Sequence, residues 1–309
     1  MISRRQFLRS IGALGALGLA AIPYGFFYEP LLRLRVARYI LHPRGWPNDF
    51  KLRIAALADL HACDPWMGAE RIREIVTATN ALNPDLIVLL GDYVAGHRWV
   101  LGPMEPRTWA EPLGDLRAPL GVHAILGNHD WWHDSAVQRA GEGAPFPRRA
   151  LEQVGIRVYE NDVARIGSAV QAFWLAGLGD QLAFVPSHRL RPGRRIGVDD
   201  LSGTLAKVGD NAPIILLAHE PGMVTRVPDR VSLMLSGHTH GGQVRLFGWA
   251  PVAPSGQRYV YGHVRERCDL VVSGGLGCSI IPLRIGAPPE IVLISLGQER
   301  VASDLGMPA

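Results

Sequence analysis

Residues 85–93 read DLIVLLGDY, and the rest of the chain is organised around this stretch. Its centre, residues 86–90, is a run of five apolar residues that stops at Gly91. This pattern predicts a strand buried on both faces, with Asp92 just beyond its carboxyl end. Open α/β sheets bind their ligands at the carboxyl ends of the strands. The stretch therefore predicts an α/β fold in which Asp92 belongs to the functional site.

Apolar runs and amphipathic segments of the same kind lie on both sides of this strand. Further strands are predicted at residues 51–57, 122–126, 156–159, 164–166, 169–175, 214–218, 231–235, 244–246, 270–273 and 290–295. Helices are predicted at residues 67–82, 109–116, 135–155 (broken at 144–147) and 198–208. The order is βαβαβα first and strand-rich later, with no dividing linker. It predicts a four-layer α/β/β/α sandwich of two mixed sheets with flanking helices.

The charge of the chain is concentrated at its beginning. The formal net charge is +4 at pH 7, but residues 1–44 alone contain seven arginines and one glutamate, so the remainder is slightly acidic. A nucleic-acid-binding domain carries a basic patch on its folded surface. We therefore expect no nucleic acid among the partners.

The first residues resemble a targeting sequence. Residues 3–9 read SRRQFLR, and the paired Arg4 and Arg5 are typical of a twin-arginine export signal; an ordinary positively flanked signal anchor is the alternative. Residues 11–28 follow without a charge, and their 18 residues are near the lower limit of about 17–25 for a membrane helix. We expect residues 1–30 to be an export signal or a retained anchor, and residues 31–49 to be a lead-in segment with one strand. The folded body is then expected at the periplasmic face of the inner membrane or exported, with the cytoplasmic face as the alternative.

Polar clusters follow five of the apolar runs. They are Asp59-x-His61, Gly91-Asp92, Gly127-Asn128-His129-Asp130, His219 and Gly237-His238-x-His240. Carboxylate, imidazole and amide groups form a mixed nitrogen and oxygen donor set, which suits Mn, Fe or Zn rather than Ca. Residues i and i+2 of a strand point the same way, so each Asp-x-His or His-x-His pair is expected to converge. The pattern predicts a metal site.

In this order and spacing, the motifs DLH (59–61), GD (91–92), GNHD (127–130), His219 and GHTH (237–240) resemble those of the calcineurin-like metallophosphoesterases. The resemblance implies that residues 50–297 are the metallophosphoesterase domain and residues 298–309 a C-terminal tail. It implies two divalent metal ions, the first held by Asp59, His61, Asp92 and His240. The second is held by Asp92, Asn128, His219 and His238. It also implies that His129 is the general acid, or stabilises the leaving oxygen, and that Asp130 orients His129 through a hydrogen bond.

The expected reaction is hydrolysis of a phosphodiester or pyrophosphate bond. Two metal ions about 3.5–4 Å apart clamp both oxygens of an in-line displacement at phosphorus. A bridging carboxylate such as Asp92 keeps two cations that close, and a nearby histidine supplies the proton that the leaving alkoxide needs.

Alternatives remain open for the branch of the family and for the substrate. The segments that follow GHTH resemble a bacterial branch of twin-arginine-exported phosphodiesterases and enzymes that cleave UDP-diacylglucosamine to release UMP. The chain departs from relatives of this branch at Gly274, where some carry an arginine, and its GDYVA lacks the second carboxylate of GDxxD. A nucleotide-linked lipid is therefore an alternative substrate. A non-catalytic binding protein on the same fold is the remote alternative.

Several residues beside the motifs are candidates for the lining of the pocket. Trp131 and Trp132 are expected to pack beneath the GNHD loop, with a wall for an acyl chain or base as the alternative. Asp180 is a candidate for the pocket lining, whereas Glu220 is expected to be a solvated neighbour of His219.

Overall fold

The computed structural model describes residues 4–6, 21–168, 171–185, 196–251 and 258–297. Most of the expected signal or anchor and the whole expected tail, residues 298–309, lie outside these ranges. Within the described ranges, none of the helices is both long and apolar enough to cross a membrane.

The strands of the described residues form two six-stranded sheets and one small sheet. In chain order they are β1 Arg35–Leu41, β2 Leu52–Leu57, β3 Leu86–Leu89, β4 Gly96–His97, β5 Val122–Ala124, β6 Arg157–Val158, β7 Asp162–Gly167, β8 Ala172–Gly177, β9 Ile214–Leu217, β10 Leu233–Ser236, β11 Gly262–Arg265, β12 Asp269–Val272, β13 Ser279–Ile280 and β14 Glu290–Leu296. The first sheet has the order β1-β14-β2-β3-β5-β6, the second β11-β12-β10-β9-β8-β7, and the small sheet pairs β13 with β4. Both large sheets are mixed, since β14 is antiparallel to β2 and β7 and β11 are antiparallel to their neighbours.

Helices connect the strands, and capping residues mark the ends of one of them. The α-helices are α1 Ala69–Ala81, α2 Pro106–Leu113, α3 Asn128–Trp132, α4 Ser135–Ala140, α5 Phe146–Gln153 and α6 Leu201–Ala206. A π-helix at Tyr24–Leu32 and 3₁₀ turns at Pro221–Thr225 and His240–Gly242 are also present. Asp134 caps α4 by accepting hydrogen bonds from Ala136 and Val137, and Gly141 ends the helix in the left-handed conformation.

The alternation of side chains along the central strands produces the layers. In β3, Leu86 and Val88 pack between the two sheets, whereas Ile87 packs under the helices on the outer face of the first sheet. On the outer face of the second sheet, Leu216 of β9 packs with Leu201 of α6 and Val224 of the 3₁₀ turn. The predicted α/β/β/α sandwich of two mixed sheets is therefore confirmed.

One predicted strand, residues 244–246, is absent from the sheets, whereas the predicted lead-in strand is present. Residues 244–246 form isolated bridges, Val244 with Ile285 and Leu246 with Trp249, because they belong to a tight turn and not to a sheet. The lead-in strand is present as β1 and pairs in parallel with β14 along its whole length, from Arg35 opposite Glu290 onwards. The first sheet therefore extends into the segment that we expected to lead into the domain.

Candidate metal centre

The predicted donor residues lie at one end of the sandwich because of the strand directions. Strands β2, β3 and β5 are parallel neighbours in the first sheet, and β9 and β10 are parallel neighbours in the second. Their carboxyl ends lead into the five polar clusters, and the structure brings these clusters together. The candidate donors of the centre, as predicted from the sequence, are Asp59, His61, Asp92, Asn128, His219, His238 and His240.

Asp59, His61 and His240 form one group, and their ligand atoms all lie within 4.8 Å of one another. The Nε2 atoms of His61 and His240 are 3.0 Å apart, and Nε2 of His240 is 3.6 Å from Oδ1 of Asp59. Burial lowers the pKa of His61 to about 3 and that of His240 well below its usual value. Both rings are therefore neutral at pH 7, which is the form that binds a metal ion.

Asp92 stands between two imidazoles. Its Oδ2 atom is 3.5 Å from Nε2 of His61 and 3.3 Å from Nε2 of His219. The Nδ1 atoms of these rings donate hydrogen bonds to the carbonyl oxygens of Val94, at 2.8 Å, and Leu90, at 2.7 Å. In both rings Nδ1–H is bonded to a carbonyl oxygen, so Nε2 is the nitrogen that faces the carboxylate of Asp92 and that binds a metal ion when the ring is neutral.

The charge state of this group depends on Asp92 and His219 together. Burial would raise the pKa of Asp92, but the charges of His219 and His129 hold it well below its usual value. Burial would lower the pKa of His219, but Asp92 raises it well above its usual value. Burial raises the pKa of Asp59 to about 7. The centre thus attracts positive charge to the space around Asp92.

Asn128 and His238 stand together on the other side of the centre. Oδ1 of Asn128 is 3.0 Å from Nδ1 of His238, and the ring of His238 lies 5.2 Å from that of His219. The ligand atoms of Asp59, Asp92 and His219 also lie within 4.8 Å of one another. Asp59 is therefore close to both groups of donors, although the resemblance assigns it to the first group alone.

The donor loops adopt a backbone conformation that the sequence did not predict. The backbone φ angle is positive at five of the seven donors: Asp59 (53°), His61 (46°), Asp92 (60°), His238 (71°) and His240 (52°). Strands β2 and β10 end before these residues, so the expected strand alternation is not what brings the pairs together. Left-handed non-glycine residues are uncommon, and they cluster where the surrounding structure holds a functional site.

Asp130 has a different partner from the one expected. Its carboxylate accepts hydrogen bonds from the backbone N–H groups of Asp92, Tyr93 and Gly127, at 2.8–2.9 Å, and no described bond joins it to the ring of His129. It lies at the third position of α3 and therefore points back across the start of the helix. Asp130 positions the loop that carries Asp92, and the expectation that it orients His129 is wrong.

His129 has neighbours on α3 and in the first donor group. Nδ1 of His129 is 3.5 Å from Nε2 of His133, and its ring lies 5.1 Å from that of Trp132 and 5.0 Å from that of His61. His133 was not predicted as a site residue, although its spacing of four residues from His129 on a helix was visible in the sequence. The backbone N–H of His129 donates to Oδ1 of Asp92 at 2.9 Å.

Comparison with known proteins agrees with this geometry. The family model for the calcineurin-like phosphoesterases matches residues 52–242, which contain all seven donors. The chain belongs to the calcineurin-like phosphoesterase family. It is therefore a metal-dependent phosphoester hydrolase with a divalent metal centre.

Relatives in this family come from distant organisms. The chain is 30% identical to the uncharacterized metallophosphoesterase YkuE of Bacillus subtilis, over 96% of this chain and 98% of that protein. It is 33% identical to a transmembrane protein with metallophosphoesterase domain of Danio rerio, over 80% of this chain and 53% of that protein. Among solved structures, Pseudomonas putida nuclease MPE is 16% identical, with a TM-score of 0.32 over 77% of this chain and 78% of the nuclease.

The residues of this calcineurin-like phosphoesterase fit divalent cations. Among the described residues, Oδ2 of Asp59 and Nε2 of His219 are buried side-chain atoms without a hydrogen-bond partner. Two buried carboxylates, Asp59 and Asp92, lie side by side, and a cation between them would offset their repulsion and their lost solvation. The orphaned atoms and the donor chemistry therefore both match a metal centre.

Close approach explains two glycines of the family motifs. A Cβ atom on Gly127 would lie 2.4 Å from Oδ1 of Asp92, and one on Gly237 would lie 2.7 Å from Oδ2 of Asp59. Since real Cβ atoms do not approach other atoms so closely, a side chain at either position would displace a donor.

A cleft of about 450 Å³ opens beside His238 in this calcineurin-like phosphoesterase and is lined in part by Glu220, Arg226 and Tyr259. Glu220 is buried, so the expectation that it is solvated is wrong. Burial and the neighbouring carboxylate of Glu220 raise the pKa of buried Asp180 well above its usual value. Asp180 is therefore favoured in its protonated, neutral form, which explains how it can be buried beside Glu220.

The flanking aromatic residues take separate places. Trp131 is fully buried in the core under the helices, as expected. Trp132 is half-buried beside His129 and donates from its ring N–H to the carbonyl of Leu182, at 2.7 Å. Only Trp132 therefore touches the ring of a candidate catalytic residue among these two.

Proposed function

We propose that this chain is a dinuclear metal-dependent phosphoesterase that hydrolyses a phosphodiester or pyrophosphate bond. Asp59, His61, Asp92 and His240 would hold one divalent ion, and Asp92, Asn128, His219 and His238 the other. The ions, when bound, polarise the phosphoryl group and lower the pKa of the water that attacks it. Mn, Fe and Zn all suit this donor set.

The observation that carries the proposal is the position of Asp92. One of its carboxylate oxygens faces the Nε2 atoms of two imidazoles that come from different sheets, His61 and His219. Its other oxygen is held by the backbone N–H of His129. A carboxylate in this position is suited to bridging two cations.

The protein's own groups would perform the remaining steps. His129 is the candidate acid for the leaving oxygen, because its ring lies beside the first donor group and is only partly buried. Burial lowers its pKa. Asp130 keeps the loop of Asp92 in place, so its contribution is positional.

We further propose that residues 1–30 direct the enzyme to the inner membrane or export it through a twin-arginine signal. The SRRQFLR motif and the uncharged run of residues 11–28 support this. Replacing Arg4 and Arg5 by lysine is expected to keep the enzyme in the cytoplasmic fraction of the producing cell. An unchanged distribution after fractionation would exclude the twin-arginine route.

The uncharged run also favours a second candidate, a pyrophosphatase that cleaves UDP-diacylglucosamine at the cytoplasmic face, because an anchor would hold the site beside lipid substrates.

One experiment separates the candidates. Full-length protein loaded with Mn²⁺ in detergent is offered an aryl phosphodiester and UDP-diacylglucosamine, and release of phenol and UMP is followed. Phenol without UMP supports a phosphodiesterase, whereas rapid UMP release supports the pyrophosphatase. Neither product from fully metal-loaded protein would mean that the substrate is a different phosphoester.

A further inference from the structure

Five large apolar side chains project into solvent near the metal centre. Phe247 is fully exposed, and the other four are 63–82% exposed. The set, which we name the apolar rim, consists of Trp99, Leu101, Phe247, Trp249 and Ile280. Scattered exposed apolar residues are ordinary, but a group of aromatic and aliphatic residues on one face marks an interaction surface.

The apolar rim is held together by one strip of chain, residues 279–285. Strand β13 at the start of the strip pairs with β4, which precedes Trp99 and Leu101. The side chain of Gln243 accepts a hydrogen bond from the N–H of Ser279 at 2.6 Å, and the N–H of Arg245 donates to Ile285 at 2.7 Å. The three rim loops are therefore fastened to a common base.

The rim exposes two of its side chains at the cost of backbone strain. Phe247 has a φ of 51° and Ile280 a φ of 66°. Phe247 lies at the tip of a tight turn that is closed by reciprocal hydrogen bonds between Leu246 and Trp249, at 2.8 and 3.0 Å. Bulky residues in the left-handed region are outliers that persist only where the surroundings hold them. The fold thus maintains apolar side chains in water where glycine would be the relaxed choice.

The N-terminal π-helix, Tyr24–Leu32, is attached to the same strip. The N–H of Arg284 donates to Gly25 at 2.9 Å, and the buried carboxylate of Glu29 accepts from Gly286 and Ala287, at 3.1 and 2.7 Å. Residues 21–32 add more exposed apolar side chains, those of Ile22, Phe27, Tyr28 and Leu32.

The composition of the chain around this segment indicates which kind of partner the exposed apolar surface contacts. Residues 11–28 contain no charged side chain, so an apolar run leads directly into the exposed face of residues 21–32. Arg33 and Arg98 stand exposed beside the apolar residues. Apolar and aromatic side chains with arginines next to them are typical of surfaces that lie in the interface of a bilayer.

The strip also touches the metal centre. Arg284, which is fully buried, donates to three backbone carbonyl groups, including that of Gly277, and its guanidinium lies 3.4 Å from Nδ1 of His240. A Cβ atom on Gly96 of β4 would lie 2.8 Å from the ring of His61. The strip and β4, to which rim loops are attached, therefore contact the His61 and His240 side of the centre.

We propose that the apolar rim and the exposed face of residues 21–32 dock into the surface of a lipid bilayer. The catalytic body then lies against the membrane through its own loops, in addition to any anchor that precedes it. Docking on the His61 and His240 side places the metal centre next to the lipid headgroups. This inference does not depend on the reaction that the centre catalyses.

The test uses the full-length protein with Phe247→Cys labelled by a polarity-sensitive fluorophore; the native cysteines of the chain are buried. The matched control is Asn211→Cys, an exposed position just before β9 and so at the opposite end of the sandwich from His219. Vesicles of phosphatidylethanolamine and phosphatidylglycerol are added, with and without brominated acyl chains. A severalfold rise in emission at position 247, quenched by the brominated lipid, is expected, with no change at position 211.

Other outcomes overturn the proposal. If vesicles that bind the protein leave the label at position 247 in water, a preceding anchor alone holds the protein. If the label already reports an apolar environment without vesicles, another part of this chain or a second copy covers the rim, and the mass of the particle distinguishes these two cases. Leu101→Cys carries the same label on a different rim loop, so a folding defect of one variant does not decide the result.

Discussion

Left-handed residues other than glycine occur in two functional regions of this molecule, and the two regions treat them in opposite ways. In the metal centre they are Asp59, His61, Asp92, His238 and His240, which are polar and largely buried. In the apolar rim they are Phe247 and Ile280, which are apolar and exposed. In both regions the backbone adopts an unfavourable conformation that directs a side chain. The side chains point into the site in the metal centre and into solvent in the apolar rim.

The largest effect is expected at the bridge of the metal centre. Asp92→Asn keeps the shape of the side chain but removes the negative charge that faces His61 and His219. We expect less bound metal per chain and a loss of phosphoesterase activity to background, measured by elemental analysis and by aryl phosphodiester hydrolysis. Asp115→Asn, at an exposed carboxylate, is the matched control and should change neither. Full occupancy of both sites in Asp92→Asn would contradict the bridging role.

The next effect separates catalysis from metal binding within the same region. His129→Ala is expected to keep the metal content and to lower kcat by about 10²–10⁴, the contribution of a general acid. His42→Ala, an exposed histidine outside the centre, should leave kcat unchanged. Unchanged turnover in His129→Ala, measured on the metal-loaded protein, would remove the residue from the mechanism.

A third change removes Arg284, which connects the strip under the apolar rim to the metal centre. Arg284→Leu leaves three buried carbonyl groups without their donor, and each orphaned group costs about 1–3 kcal/mol. We expect the free energy of unfolding to fall by about 3–5 kcal/mol in urea denaturation. Arg107→Leu, at an exposed arginine, should change it by less than about 0.5 kcal/mol. A small loss of unfolding free energy in Arg284→Leu would mean that Arg284 does not hold the rim and the metal centre together.

The smallest effect tests whether the rim is strained. Phe247→Gly replaces an exposed side chain at a φ of 51° by the residue that tolerates this angle. Relief of the left-handed cost of about 1–2 kcal/mol outweighs the entropy cost of glycine, about 0.5–1 kcal/mol, so the free energy of unfolding should rise by about 0.5 kcal/mol. Leu246→Gly, in the same turn without a positive φ, should lower it. Equal losses in the two variants would show that Phe247 is not strained.

Much of the architecture was predictable from local patterns, and the failures have physical reasons. The apolar runs of β3 and β9 are buried on both faces, so their strands and their polar ends were visible without a structure. Residues 244–246 were predicted wrongly because a short alternating segment fits a tight turn as well as a strand. Glu220 was expected in solvent because its partner, Asp180, lies 40 residues away in the sequence.

The sequence by itself predicted which residues are candidate metal ligands, because each candidate follows a run of apolar residues whose length suits a buried strand. It also determined the family, through motifs whose order and spacing are specific. The tertiary structure alone decided how the donors meet: through left-handed loops and not through strand alternation, with Asp130 holding the loop of Asp92. It alone decided that the loops of the exposed residues Trp99, Phe247 and Ile280 meet at residues 279–285, since β13 pairs with β4 and the N–H of Arg245 donates to Ile285.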